Sequence, residues 1–299
     1  MMRKSMLAAS AVALLASPAF AGNIVPPTTT PVTVSTVPSN GDVNPYGVAF
    51  VPQGFPMVEG GLVPGDILVS NFNNAQNLQG TGTTIMRIAA DGTTSVFYQG
   101  LPSLGLSTGL QVLKEGYVFV CNFPTVDGTS ATAQPGSLMI LGPGGHVHEQ
   151  IGLPMINGPW DMKLHDFGDH VSAFIASAIE GTVTRLDFAL GQGPLGIDLT
   201  AFTVVASGYQ HRGDPAALFV APTGLAYDAA SDTLYVASTD DNAVYAVHRA
   251  ASREKAANKG ALVYSDPMHL HGALAMQLAP NGHLLVTNSD VINSDPNQP

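Results

Sequence analysis

The groups in this sequence that could do chemistry are nine histidines, 22 acidic residues, a single cysteine and many asparagines. Two histidine pairs, His146-Val147-His148 and His269-Leu270-His271, have the spacing of neighbours on a strand. Residues i and i+2 of a strand point to one face, so either pair could present two imidazoles together. Zinc needs three or four ligands, and no third donor stands near His146 and His148, which read as a solvated pair. His269 and His271 stand just before an apolar stretch at 273–276, and His211 occupies a loop expected on the same side of the fold. Asp161, His271 and His211 are therefore the candidate catalytic residues. Gly105-Leu106-Ser107-Thr108-Gly109 has the G-x-S-x-G form of a nucleophile elbow, which requires a strand before the serine and a helix after it. Leu110-Gln111-Val112-Leu113 is a strand pattern, so Ser107 is set aside. Cys121 ends the apolar run Tyr117-Val118-Phe119-Val120; it reads as a buried small hydrophobe, and a lone cysteine excludes an internal disulfide.

Composition narrows the classes. Only 11% of residues are charged, against about 25% in an average soluble domain, and the net charge is −11. An anionic chain of this kind cannot neutralise a run of phosphates, which excludes a nucleic-acid binder. The hydrophobic share of 45% excludes disorder. At the N-terminus Arg3 and Lys4 precede an apolar stretch at 6–20 that ends in Ala19-Phe20-Ala21. That is the form of a secretory signal peptide over 1–21, cleaved after Ala21, and it predicts a secreted or periplasmic protein. The stretch is shorter than the roughly 20 residues a spanning helix needs, so no membrane span is expected. Residues 22–43 form a Thr- and Pro-rich linker with a possible closing strand at 31–37.

The elements that must position these residues repeat. Inner strands are expected at 44–50, 107–113, 158–164, 221–227 and 271–276, aligned on Gly47, Gly109, Trp160, Gly224 and Ala273. Second strands follow at 67–72, 118–123, 174–179, 234–240 and 284–289, most of them closing on a small polar residue. Third strands fit at 84–88, 137–141, 182–186 and 243–247, and fourth strands at 95–98, 147–151, 202–206 and 261–264. Four short strands per unit is the signature of a propeller blade, which buries its faces only against its neighbours. The expected fold is all-β: a β-propeller over 44–290, with four full blades and a partial fifth, then an irregular tail at 291–299. Six blades are expected in the full fold, so the chain reads as truncated at residue 299. A helix is expected over 249–258, carrying Arg249, Arg253 and Lys255 with Lys259 just beyond, as a cationic knob on the far face. Trp160 reads as a packing plug.

The unit Pro222-Thr-Gly-Leu-Ala-Tyr-Asp228, with Leu234-Tyr-Val-Ala-Ser238 and Asn242-Ala-Val-Tyr245, resembles the NHL-repeat family and its six-bladed relatives, the gluconolactonase-like and amidating-lyase-like propellers. In the calcium-dependent hydrolases among those relatives, channel amides and carboxylates hold the metal. The resemblance implies Asn44, Asn122, Asp161 and Asn288 as candidate metal ligands by position, with calcium as the possible cofactor. It leaves two functional expectations open. One is an exported, monomeric binding or scaffold protein for a protein, peptide or glycan. The alternative is a metal-dependent lactonase- or lyase-like enzyme whose site lies in the channel.

Overall fold

Short alternating apolar runs, broken by Gly, Pro and Asp turns, leave each segment only enough length to be a strand. A computed structural model describes residues 33–102, 104–191 and 196–289. The expected leader and the tail at 291–299 lie outside the described residues. The first antiparallel sheet runs β1 (Val43–Phe50), β2 (Ile67–Asn73), β3 (Thr84–Ile88) and β4 (Thr94–Gln99) in order from the inside outward. The second repeats this with β5 (Leu106–Leu113), β6 (Tyr117–Asn122), β7 (Ser137–Leu141) and β8 (Val147–Ile151). The third comprises β9 (Pro159–Asp166), β10 (His170–Ser177), β11 (Thr182–Leu190) and β12 (Ile197–Ser207). A two-stranded hairpin, β13 (Arg212–Asp214) and β14 (Leu218–Val220), then leads into the fourth sheet. That sheet is β15 (Pro222–Asp228), β16 (Thr233–Ser238), β17 (Ala243–His248) and β18 (Ala261–Tyr264). β19 (Ala273–Leu278) and β20 (Leu284–Asn288) are the described strands of a fifth sheet. The architecture is a β-propeller, and no α-helix occurs among the described residues.

The sheets pack face to face in sequence order, with β1 against β5, β5 against β9, β9 against β15 and β15 against β19. Between the second and third blades Phe119, Leu138, Ile140, Met162, Leu186 and Phe188 form one core, with the Phe119 and Phe188 rings edge-on at 5.4 Å. Inner strands of different blades share no ladder, and side-chain hydroxyls bridge neighbouring blades instead. Ser70 Oγ donates to Ser107 O (3.0 Å), Ser107 Oγ to Pro159 O (2.8 Å) and Thr108 Oγ1 to Trp160 O (2.6 Å). Thr223 Oγ1 donates to Leu274 O (2.8 Å), and Thr239 Oγ1 to Ala273 O (2.7 Å). The strands approach closely enough that a Cβ on Gly47 would lie 2.9 Å from Thr108 O, and one on Gly224 would lie 2.5 Å from Leu274 O. That close approach explains the glycines on which the repeat aligns.

Every inner strand also carries an irregularity in register at the same place: Pro45/Gly47, Leu106/Leu110, Pro222/Leu225 and Ala273/Met276, with the matching break in β9 opposite Ile175/Ser177. Bulges bend a strand and re-aim its side chains. Here they turn Tyr46, Thr108, Trp160, Asp161, Leu274 and Ala275 toward the centre.

Three expectations are corrected. Residues 249–258 are turns and bends, with one bridge between Ala257 and Lys259. Arg249 and Asn258 have φ of 56° and 50°, which no helix accommodates. The segment is held as a strap: Arg185 Nη1 donates to Ala250 O (2.9 Å) and Arg253 O (3.0 Å), and Ala257 N donates to Val205 O (2.9 Å). Lys259 is not part of a free cationic knob, because its Nζ lies 2.6 Å from the buried carboxylate of Asp241 on a 2→3 turn. Residues 33–38 form no strand and meet the first blade through Asn71 Nδ2, which donates to Thr36 O at 2.8 Å; residues 31 and 32 lie outside the described residues.

Candidate functional site

The 4→1 and 2→3 loops gather on one face around a cavity of about 450 Å³. Asn44 enters from the start of β1, Asn73, Asn77 and Gln79 from the β2–β3 turn, and Ala216, Ala217 and Phe219 from the β13–β14 hairpin. Asp214 shapes that hairpin, its Oδ1 accepting from the Ala216 (2.9 Å) and Ala217 (3.0 Å) amides. Gln79 Nε2 donates to Ala216 O at 2.6 Å and ties the first blade to the hairpin across the cavity. The amides are ordered by one another: Asn44 Nδ2 donates to Asn73 Oδ1 (3.2 Å), and Asn73 Nδ2 donates to Asn77 Oδ1 (2.7 Å). Tyr46, Phe72, Trp160 and Phe219 supply aromatic walls. Tyr46 stacks on Phe72 with centroids 5.3 Å apart, and Trp160 stands edge-on to Tyr46, Phe72 and Phe123 at 5.9–6.0 Å. Among the described residues, no Asp, Glu, His, Lys or Arg lines this cavity.

Tyr46, Trp160 and Leu274 also line a second cavity of about 210 Å³ in the centre of the propeller, so together they stand between the two. This channel cavity is bounded by Tyr46, Val48, Thr108, Gln111, Asp161, Lys163 and the segment Leu274–Gln277. The indole Nε1 of Trp160 is buried with no hydrogen-bond partner among the described residues. Asp161 Oδ2 accepts from the Leu225 amide at 2.9 Å. Burial raises the Asp161 carboxyl above its ordinary value, with Lys163 and the Leu225 and Met162 amides pulling the other way. Burial likewise lowers the Lys163 ammonium, and Asp161 opposes that shift.

The candidates from sequence separate into different places. Asp161 lines the channel cavity and Asn44 the upper cavity. Asn122 does not reach the channel. Its Nδ2 donates to Leu104 O (2.9 Å), and its Oδ1 accepts from the Ser137 amide (3.1 Å) and the Ser137 hydroxyl, beside an outer groove. Asn288 secures the fifth blade's own loop, accepting from the His271 amide (2.8 Å) and donating to His269 O (3.2 Å). His271 Nε2 sits 3.3 Å from Met268 O, and His211 Nδ1 sits 2.9 Å from Tyr209 O. Neither imidazole lines either cavity, so Asp161, His211 and His271 form no shared constellation.

A calcium ion wants six to eight convergent oxygens. Asn44, Asn122, Asp161 and Asn288 do not converge, and the Lys163 ammonium shares the cavity of Asp161. Among the described residues, no group of three or more His, Cys, Asp or Glu side chains comes together to hold a metal ion. The set present does not fit the ion. Cys121 is fully buried, and burial pushes its thiol far above the ordinary range. The lining residues Tyr46, Phe72, Asn77, Gln79 and the 212–220 hairpin were not singled out from sequence. The amide-rich run Asn71-Phe72-Asn73-Asn74, continuing to Asn77 and Gln79, is the signal that could have found them.

No protein-family model matches the sequence, and no curated protein matches it either. Among solved structures the chain is similar to the calcium-binding protein regucalcin from Agrobacterium tumefaciens. They share 13% identity over 80% of this chain and 72% of that one, with a TM-score of 0.51. A luciferin-regenerating enzyme gives 12% identity over 77% and 68%, with a TM-score of 0.51. The periplasmic gluconolactonase of Pseudomonas aeruginosa gives 16% identity over 83% and 79%, with a TM-score of 0.44. The expected propeller fold is thus met in the two structures at a TM-score of 0.51, and identities this low speak to the fold alone.

Proposed function

We propose that this propeller is an exported binding protein that takes an uncharged polar ligand, a glycan in preference to a peptide or protein, in the upper cavity. One observation carries the proposal: three mutually ordered asparagine amides and the Gln79 amide, tied to Ala216 O, face aromatic walls, with no Asp, Glu, His, Lys or Arg in the described lining. An amide offers donors and an acceptor together, which suits neighbouring hydroxyls, and aromatic faces suit the apolar face of a sugar ring. Acid–base or metal-assisted hydrolysis would need a titratable group within reach of the ligand.

The test is calorimetric titration of the full chain with neutral oligosaccharides and uncharged peptides. Saturable binding of an oligosaccharide is expected, weakened about tenfold or more by Asn77→Gly or Gln79→Ala, on the scale of one lost hydrogen bond. Asn77 has φ 59°, so glycine removes its amide without straining the turn. Peptide binding in place of the saccharide would reassign the ligand. Calcium-dependent turnover of a sugar lactone, lost in Asp161→Ala, would replace the proposal with the hydrolase alternative. Export rests on the residue pattern at 1–21; a mature protein beginning at Gly22 outside the cytoplasm supports it, and retention of Met1 in the cytoplasm refutes it.

A further inference from the structure

The channel cavity holds opposite charges that do not touch. Asp161 and Lys163 alternate along β9 onto one face, as residues two apart on a strand do. Both line the same space of about 210 Å³. They form no ion pair within 4.0 Å; Lys163 Nζ donates instead to Gln277 Oε1 at 2.8 Å. Asp161 Oδ2 accepts from the Leu225 amide, the Met162 amide also bears on the carboxyl, and no cationic side chain pairs with it among the described residues. A carboxylate drawn out of bulk water is unfavourable unless a cation reaches it. The remaining walls are neutral, from Thr108, Gln111, Tyr46 and Trp160. Val48, which is 54% exposed, and the exposed Ala275 and Gln277 stand at the edge of the cavity, so it opens to solvent between β1 and β19.

From this geometry we infer that the channel is a second binding site, separate from the upper cavity, for a small zwitterion such as a neutral α-amino acid. Its ammonium is taken by the Asp161 carboxylate and its carboxylate by Lys163. The ligand must carry both charges, because the site offers one of each across a gap, and a ligand with one charge leaves the other group unanswered. A divalent cation is disfavoured in the same space by the Lys163 ammonium. Gln111 and Gln277 suit a polar, uncharged side chain on the ligand.

Trp160 is the only tryptophan in the chain and borders both cavities, so its emission responds to a ligand in either, and the Asp161 and Lys163 variants assign a change to the channel. The experiment titrates the full chain, by tryptophan fluorescence and calorimetry, with glycine and L-glutamine as zwitterions. Ethanolamine supplies the ammonium alone, glycolate the carboxylate alone, and calcium chloride the divalent ion. Saturable binding of a zwitterion is expected, about ten- to a hundredfold tighter than either half-ligand, the ratio set by one charge-assisted hydrogen bond. Asp161→Asn, which still accepts from Leu225, and Lys163→Met should each weaken it by a similar factor while the far-ultraviolet dichroism is unchanged. Three results overturn the inference: no zwitterion binding at millimolar concentration, half-ligands that bind as tightly as the zwitterion, or calcium binding that depends on Asp161. If a variant fails to fold, the ligand comparison on the unaltered chain still decides. Because the upper-cavity variants Asn77→Gly and Gln79→Ala leave the channel lining intact, they should not change zwitterion binding; if they abolish it, the second site is refuted.

Discussion

Replacing Trp160 by alanine takes the largest side chain out of the wall between the two cavities. The side chain is 2% exposed and makes three edge-on ring contacts at 5.9–6.0 Å, with Tyr46, Phe72 and Phe123. Pairs of this kind contribute about 0.5–1.5 kcal/mol each beyond burial, and truncating a buried tryptophan costs about 3–5 kcal/mol in all. One term opposes this: the indole Nε1 is buried without a partner, and deleting it relieves about 1–3 kcal/mol. The net loss should therefore fall between about 0 and 4 kcal/mol, centred near 2 kcal/mol. Trp160→Phe keeps an aromatic ring and drops the unpaired donor, so its loss should be about 1 kcal/mol or less. The assay is urea unfolding followed by far-ultraviolet dichroism, since the mutation removes the chain's only tryptophan emission. A Trp160→Ala variant more stable than the unaltered protein would refute the reasoning, because the cluster would then not be packed as described. So would a Phe variant as damaged as the Ala one, which would mean that Nε1 holds a partner worth keeping.

Gly82→Ala and Gly136→Ala should each abolish soluble expression, because their Cβ atoms would lie 2.1 Å from Asn71 O and 1.9 Å from Asn122 O in equivalent turns; recovery of either as folded protein at normal yield would contradict this. Burial raises the native Asp161 carboxyl, so the folded state holds that proton more tightly than the unfolded chain. The stability this contributes is present in acid and is lost as pH rises from the ordinary value of 3.8 through the raised native one. Urea midpoints measured against pH should thus fall more steeply in the unaltered protein than in Asp161→Asn. Cys121 should resist alkylation in the native state and react only on unfolding; fast labelling of folded protein by a thiol reagent would show otherwise.

Local signals carried most of the fold. The run Ile-Leu-Val-Ser-Asn-Phe predicts a strand at 67–72 and the strand is Ile67–Asn73; the fourth strand at 147–151 coincides with Val147–Ile151. Alternation and turn residues act over a few positions, so they can be read without knowing the partner. The strap at 249–258 could not be read this way. Its Ala, Arg, Glu and Lys content favours a helix, but the amide of Ala257 is taken by β12 and the carbonyls of Ala250 and Arg253 by Arg185, a tertiary demand that outweighs propensity. The candidate site was harder still. Asn122 and Asn288 have the side chains a metal site needs, but amides at strand ends are also the groups that close neighbouring turns, and both are used that way. Asp161 was found from its place at the start of an inner strand, where the repeat puts channel residues. Lys163, two residues on, acquires meaning only once β9 and β19 share a wall.

The hydroxyl-to-carbonyl bonds between inner strands have a mechanical consequence. Ser107 and Thr108 rivet β5 to β9, and Thr223 rivets β15 to β19, so these two pairs of blades are fixed in pitch at the hub. The carboxylate of Asp161, accepting from the Leu225 amide, couples one riveted pair to the other. The channel cavity is walled by strands of both pairs, so the same side chain that lines the cavity also joins the two halves of the hub.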